Sequence, residues 1–319
     1  MRQEEFTVLP RFFVDSPPEP MFLTIPSDWP DRRWSEIHVL DGISWHIQRS
    51  GADPKERPTI LLVHGTGGSS HSWAAVTPAL ATHFHILNID LPGHGFTNVP
   101  AAVERAHSPY TLTGMARLLH GLLTALEVAP HTVVGHSAGV SVLLRMVIEG
   151  RITPTRILGV CPALVPTPAW YVALIAPMLG RVLERDVVAN STARLAAGTR
   201  LIEGMLGSTG STLTAEQRAR YRLLCSRPEH VHAAIAMMAR WDLPALFRDV
   251  GVLRTPVQLI AGRQDRWIPL AALSRAVERI PGVSLTVEEG GHLLPEERPE
   301  VIVRELLTGA TGDHATETR

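Results

Sequence analysis

The sequence predicts an α/β fold, a mostly parallel central sheet flanked by helices and carrying an inserted helical cap. Three observations support it. Short apolar runs alternate with helix-length segments, the pattern of repeated βαβ units. Several of these runs end in glycine-rich turns, as strands buried on both faces do. One segment, residues 163–245, breaks the series, with helix starts and no strand signal.

The elements follow in order. Residues 1–41 contain Pro10, Pro17, Pro18, Pro20, Pro26 and Pro30 and read as an extended arm. The α/β core is expected over residues 42–162 and 246–319. Thr59–Val63, His85–Ile89 and Thr132–Val134 are its first buried strands. Met115, Leu118, Leu119, Leu122, Leu123 and Leu126 recur every three to four residues, the apolar stripe of a helix lying on a sheet. Arg156–Cys161, Val257–Ala261 and Ser284–Val287 supply the remaining strands.

Ile157 to Gly180 is uncharged for 24 residues, long enough to span a bilayer. Pro162, Pro166, Pro168 and Pro177 interrupt it, which favours a buried strand followed by a short apolar helix. Peripheral membrane contact through Trp170 and Tyr171 is the remaining membrane option. Within the cap, Thr214 with Gln217, and Ser226 with Glu229, have the spacing of capping boxes. The cap holds nine arginines against six acids, a weak bias toward anionic ligands.

Composition excludes several classes of protein. At 45% hydrophobic and 19% charged, the chain is an ordinary globular one and not a disordered one. Its 30 basic and 31 acidic side chains are interspersed, without the basic run of a nucleic-acid binder. No segment of 20 to 50 residues repeats, which removes solenoids and propellers. Cys161 and Cys225 are too few for a disulfide framework or a multi-cysteine zinc site; two buried, reduced thiols in a cytoplasmic protein are expected. The start Met1-Arg2-Gln3-Glu4-Glu5 places acids where a signal peptide needs basic residues.

The chemistry centres on Gly135-His136-Ser137-Ala138-Gly139, between a strand and the helical run Val140–Ile148. A serine on a sharp strand-to-helix turn needs small neighbours, because its backbone is strained and its hydroxyl must stand clear of the sheet. Ser137 is therefore the expected nucleophile. Its oxyanion needs preorganised donors, and the backbone N–H groups of Thr66, in His64-Gly65-Thr66-Gly67-Gly68, and of Ala138 are so placed. A phosphate-binding loop is the competing reading of those glycines, but no Lys-Ser or Lys-Thr pair follows them.

The general base is expected last in the chain, at His292 in Gly290-Gly291-His292, and the orienting acid at Asp265 after the strand Val257–Ala261. Asp90, in Asp90-Leu91-Pro92-Gly93-His94-Gly95, takes a scaffold role. His64, His71, His94 and His136 read as structural or pocket-lining. No metal-ligand spacing is present, and the motifs require no cofactor.

Together these residues resemble the α/β-hydrolase superfamily over about residues 42 to 308. Further stretches are similar to the BchO-type magnesium-chelatase accessory proteins of bacteriochlorophyll biosynthesis. These are Ser27 to Arg32 (SDWPDR), Gly42 to His46 (GISWH), Leu62 to Trp73 (LVHGTGGSSHSW), Asp90 to Thr97 (DLPGHGFT) and Ala236 to Leu243 (AMMARWDL). The resemblance implies a role near magnesium insertion into protoporphyrin IX, with chelatase subunits as partners. Two functions stay open: a serine hydrolase acting on an apolar or amphipathic substrate, and a binding protein whose cap delivers a tetrapyrrole. An ordinary carboxylesterase without a pigment role is a third. Expected ligand contacts are His71, His136, Trp170, Met237, Met238, Arg240 and Trp241, with Arg240 suited to a propionate.

Overall fold

The computed structural model describes residues 24–165 and 201–313. Its strands are β1 Ser35–Leu40, β2 Ile43–Gly51, β3 Thr59–Val63, β4 His85–Ile89, β5 Thr132–His136, β6 Arg156–Val160, β7 Val257–Gly262 and β8 Val283–Glu288. They form one sheet in the order β1-β2-β4-β3-β5-β6-β7-β8. β2 runs antiparallel between β1 and β4, and the pairings from β4 to β8 are parallel.

Among the described residues the helices are α1 Thr77–Leu80, α2 Ala101–His107, α3 Leu112–Ala125, α4 Ala138–Ile148, α5 Leu201–Ser208, α6 Ala215–Cys225, α7 Pro228–Ala239, α8 Leu243–Asp249, α9 Leu270–Val277, α10 Leu294–Glu297 and α11 Pro299–Asp313. None of them is long and apolar enough to cross a membrane.

Alternation along the strands divides the core into two layers. Leu61 and Val63 point to the face covered by α3 and α4, where they meet Met115, Leu119, Val140 and Leu144. Ile60 and Leu62 point to the other face, against Trp73, Leu80, Val301, Ile302 and Leu306. All four strand residues are buried. Each such side chain contributes about 1.5–3 kcal/mol on leaving water. The predicted stripe of α3 is the buried one, at Met115, Leu118, Leu119, Leu122 and Leu123.

Three expectations need adjustment. The sheet begins inside the segment read as an arm, because Ser35–Leu40 pairs along its whole length with β2. Ser226 and Glu229 form no capping box: Ser226 ends α6 and donates its hydroxyl to Leu223 O at 2.6 Å. α7 starts instead at Pro228, which has no N–H to satisfy and a φ already suited to a first turn. Cys225, expected to be buried, is only partly so. The Thr214–Gln217 box does form, with both reciprocal bonds.

Candidate active site

Ser137 sits between β5 and α4 with φ 50° and ψ −116°, a conformation an L residue adopts only under constraint. The constraint is packing. A Cβ on Gly139 would stand 2.4 Å from Val63 O, and one on Gly135 would stand 2.6 Å from Val140 N. Only glycine lets α4 approach the sheet this closely, and that approach forces the turn at Ser137.

The ends of β7 and β8 bring up the partners. The Ser137 hydroxyl donates to His292 Nε2 at 3.0 Å, and His292 Nδ1–H donates to Asp265 Oδ2 at 2.8 Å. Asp265 Oδ1 accepts the N–H groups of Trp267 and Ile268, which fixes the carboxylate. All three side chains are at least nine-tenths buried. The Trp267 ring lies 5.1 Å from that of His292, tilted by 35°. The arrangement can move a proton from a hydroxyl to an imidazole whose tautomer is held by a carboxylate.

Gly65 packs against this centre, its Cβ position being 2.8 Å from Ser137 Cβ. Gly68 N–H closes a turn onto Gly65 O at 3.0 Å, with Thr66 and Gly67 at its corners. The backbone N–H groups of Thr66 and Ala138 have no acceptor among the described residues.

The expected ligand contacts separate. His136 lies beneath the base, donating Nε2–H to His292 O at 2.8 Å; burial and the neighbouring His292 hold it neutral, with a pKa lowered to about 3. Met237, fully buried, accepts the Thr66 hydroxyl on its sulfur at 3.3 Å. Met238 and Trp241 are half-buried, and Trp241 packs against the main core. The Arg240 guanidinium lies 3.7 Å from the Glu104 carboxylate, which also meets His232 at 3.1 Å, so an internal acid already faces it. Trp170 lies outside the described residues, as does Tyr171.

His71 belongs to a separate buried group. Its Nδ1 meets Ser69 Oγ at 2.7 Å, its ring contacts Tyr221, and burial lowers its pKa to about 3. Tyr221 donates its hydroxyl to Glu296 at 2.5 Å. Asp90 is the scaffold expected: burial opposes its charge, yet His46 at 2.7 Å and the N–H groups of Ser70 and Phe96 hold the carboxyl well below its usual range.

Several residues here escape sequence reasoning. Cys161 Sγ lies within 4.8 Å of donor atoms of Asp265 and His292; burial, then the Asp265 charge, push its thiol well above the usual range. Thr209 O accepts His292 N–H at 3.1 Å, and Ser211 Oγ accepts Leu293 N–H at 2.8 Å. His230 of α7 is buried against the Gly65–Gly68 turn. Backbone and loop contacts of this kind leave no spacing signal.

The model of the Alpha/beta hydrolase family matches residues 60–305. The chain belongs to the α/β-hydrolase family. Within reach of this α/β hydrolase is the Magnesium-chelatase 30 kDa subunit of Rhodobacter capsulatus, 33% identical over 85% of this chain and 93% of its own length. The Uncharacterized hydrolase YugF of Bacillus subtilis (strain 168) is 26% identical over 83% of this chain and 93% of its own. A solved α/β hydrolase fold protein from Burkholderia ambifaria superposes with a TM-score of 0.70 at 24% identity, covering 86% of this chain and 97% of that one.

Proposed function

We propose that the protein is a serine hydrolase that cleaves an ester-type bond in an apolar or amphipathic small molecule. The observation that carries this reading is the unbroken chain from Ser137 Oγ through His292 to Asp265, at 3.0 and 2.8 Å. Ser137 Oγ attacks the carbonyl carbon as its proton passes to His292 Nε2. The oxyanion is met by the N–H groups of Thr66 and Ala138. The imidazolium then protonates the leaving alcohol, giving an acyl-Ser137. Water, deprotonated by the same imidazole, attacks the acyl carbon and releases the acid with Ser137 restored. Asp265 holds the tautomer throughout and takes no proton.

The similarity to a Magnesium-chelatase 30 kDa subunit favours a biological setting near magnesium insertion into protoporphyrin IX. It also supports the second reading, tetrapyrrole binding or delivery to chelatase subunits without acyl chemistry, because metal insertion into a porphyrin breaks no ester.

One experiment separates them. Wild-type protein and Ser137→Ala are exposed to a fluorophosphonate probe and to p-nitrophenyl butyrate, with and without protoporphyrin IX. Ser137-dependent labelling and turnover, both suppressed by the porphyrin, are the expected result. Porphyrin binding without labelling or turnover would refute the hydrolase reading in favour of delivery, and labelling indifferent to the porphyrin would favour a carboxylesterase with no pigment role.

A further inference from the structure

The turn that carries Thr66 is held from two sides by imidazoles. His64 accepts Leu91 N–H on Nε2 at 2.9 Å and donates Nδ1–H to Gly65 O at 2.8 Å. His230 accepts Gly95 N–H on Nδ1 at 3.0 Å and donates Nε2–H to Gly67 O at 3.1 Å. Gly65 and Gly67 flank Thr66, so the two carbonyls on either side of it are each fixed by a histidine. The difference lies in where these histidines come from. His64 follows β3 in the core, whereas His230 belongs to α7 of the cap.

The cap helix reaches the turn by packing directly on the core. A Cβ on Gly93 would stand 2.6 Å from Ala233 Cβ, so α7 lies directly on the Pro92–Gly95 loop. The His94 ring fills the space between the two clamps, 5.4 Å from His64 and 5.3 Å from His230. His230 is 2% exposed, and both its ring nitrogens are engaged by backbone groups. Burial, then the neighbouring histidines, hold it neutral, which its role as acceptor from Gly95 requires. Two turns further along, Met237 takes the Thr66 hydroxyl.

We propose that His230 is a positioning residue for the oxyanion hole, so that the Thr66 N–H is aimed at the reacting carbonyl only while the cap is docked. The inference rests on the serine-hydrolase reading and deepens it. The cap then does more than enclose substrate: its placement sets the electrophilic half of the site. Removing one oxyanion donor costs on the order of 10²–10³ in kcat. Loosening the turn that aims it should cost about tenfold to a hundredfold in kcat, by the same argument. KM for a small ester should change little, since the lost interaction strengthens in the transition state.

The shapes of two amides provide the test. In His230→Gln the side-chain amide nitrogen reaches the place of Nε2 and can donate to Gly67 O. In His230→Asn the shorter side chain places its oxygen near Nδ1, where it can accept from Gly95 N–H without reaching Gly67. Both variants and wild type are compared for folding by thermal melting, for kcat and KM with p-nitrophenyl butyrate, and for inhibition by a trifluoromethyl ketone, which forms a tetrahedral adduct. The expected result is near wild-type kcat for His230→Gln. In folded His230→Asn, kcat and ketone affinity should fall together at unchanged KM. Equal behaviour of the two variants, whether both active or both impaired, overturns the assignment of His230 while fluorophosphonate labelling of wild-type Ser137 still upholds the hydrolase reading. Failure of wild-type Ser137 to label overturns both.

Discussion

Glu296 offers a test of the energetics that needs no substrate. It lies on α10 four residues after His292, is 7% exposed, and accepts the Tyr221 hydroxyl from the cap. Burial pushes its carboxyl from 4.5 up to about 7, against the opposing pull of the Tyr221 hydrogen bond and the Arg220 charge. A pKa raised in the folded state means that, between the two values, the native protein keeps a proton that the unfolded chain releases. The stabilisation is therefore complete below about 4.5 and is lost as pH rises through about 7. At 1.36 kcal/mol per unit, the loss approaches about 3 kcal/mol by pH 8.

Glu296→Gln removes the titration and keeps an acceptor for Tyr221. The variant should lie within about 1 kcal/mol of wild type at pH 5 and exceed it at pH 8. For a chain of this size each kcal/mol moves Tm by roughly 2–4 °C, so the gap should open by about 5–10 °C. Scanning calorimetry in buffers of equal ionic strength from pH 5 to 8.5 measures it. A gap that does not change with pH would refute the reasoning, as would a variant less stable than wild type at pH 8. Either would mean that the ionised carboxylate is compensated inside the protein, so that its burial carries no such cost.

Two further outcomes bear on the centre itself. Asp265→Asn should leave the fold intact while lowering ester turnover by about 10⁴, because the wrong imidazole tautomer is then favoured; steady-state kinetics beside a thermal melt checks both halves. Gly139→Ala should destabilise by more than about 3 kcal/mol, since its methyl group would sit 2.4 Å from Val63 O in a close-packed core; a chemical denaturation midpoint equal to wild type would contradict the close approach of α4.

What was legible in the sequence follows from the range of the interactions. The strands Thr59–Val63 and His85–Ile89 have the predicted bounds, because apolar runs ending in glycine turns are local patterns. The Ser137 turn is equally local: one pentapeptide contains both the strained residue and the glycines that permit it. Asp265 and His292 were placed by chain order and strand ends, and the folded chain brings them to Ser137. The Ser226 capping pattern failed because Pro228 offered a cheaper start for α7. β1 carries no such signal, because a single antiparallel edge strand of mixed burial has no two-face apolar run. His71, an expected ligand contact, sits instead on a short helical turn with its ring against Tyr221.

The contacts between cap and core have a different origin, and it explains their silence. Thr209 holds His292 through a carbonyl, His230 holds Gly67 and Gly95 through backbone groups, and Ser211 meets the amide of Leu293. Backbone partners exist at every position, so the identity of the partner residue constrains nothing and no pairing of side-chain types betrays the contact. Both sides of Ser137 nevertheless depend on them: the α5–α6 connection braces His292 from one side, while α7 braces the Gly65–Gly68 turn from the other. On the proposed serine-hydrolase reading, a substrate that shifts either cap segment by a fraction of an ångström changes hydrogen bonds that hold His292 and the Gly65–Gly68 turn. On this architecture, fit in the cap and alignment at Ser137 are one property, and selectivity should appear in kcat as well as in KM.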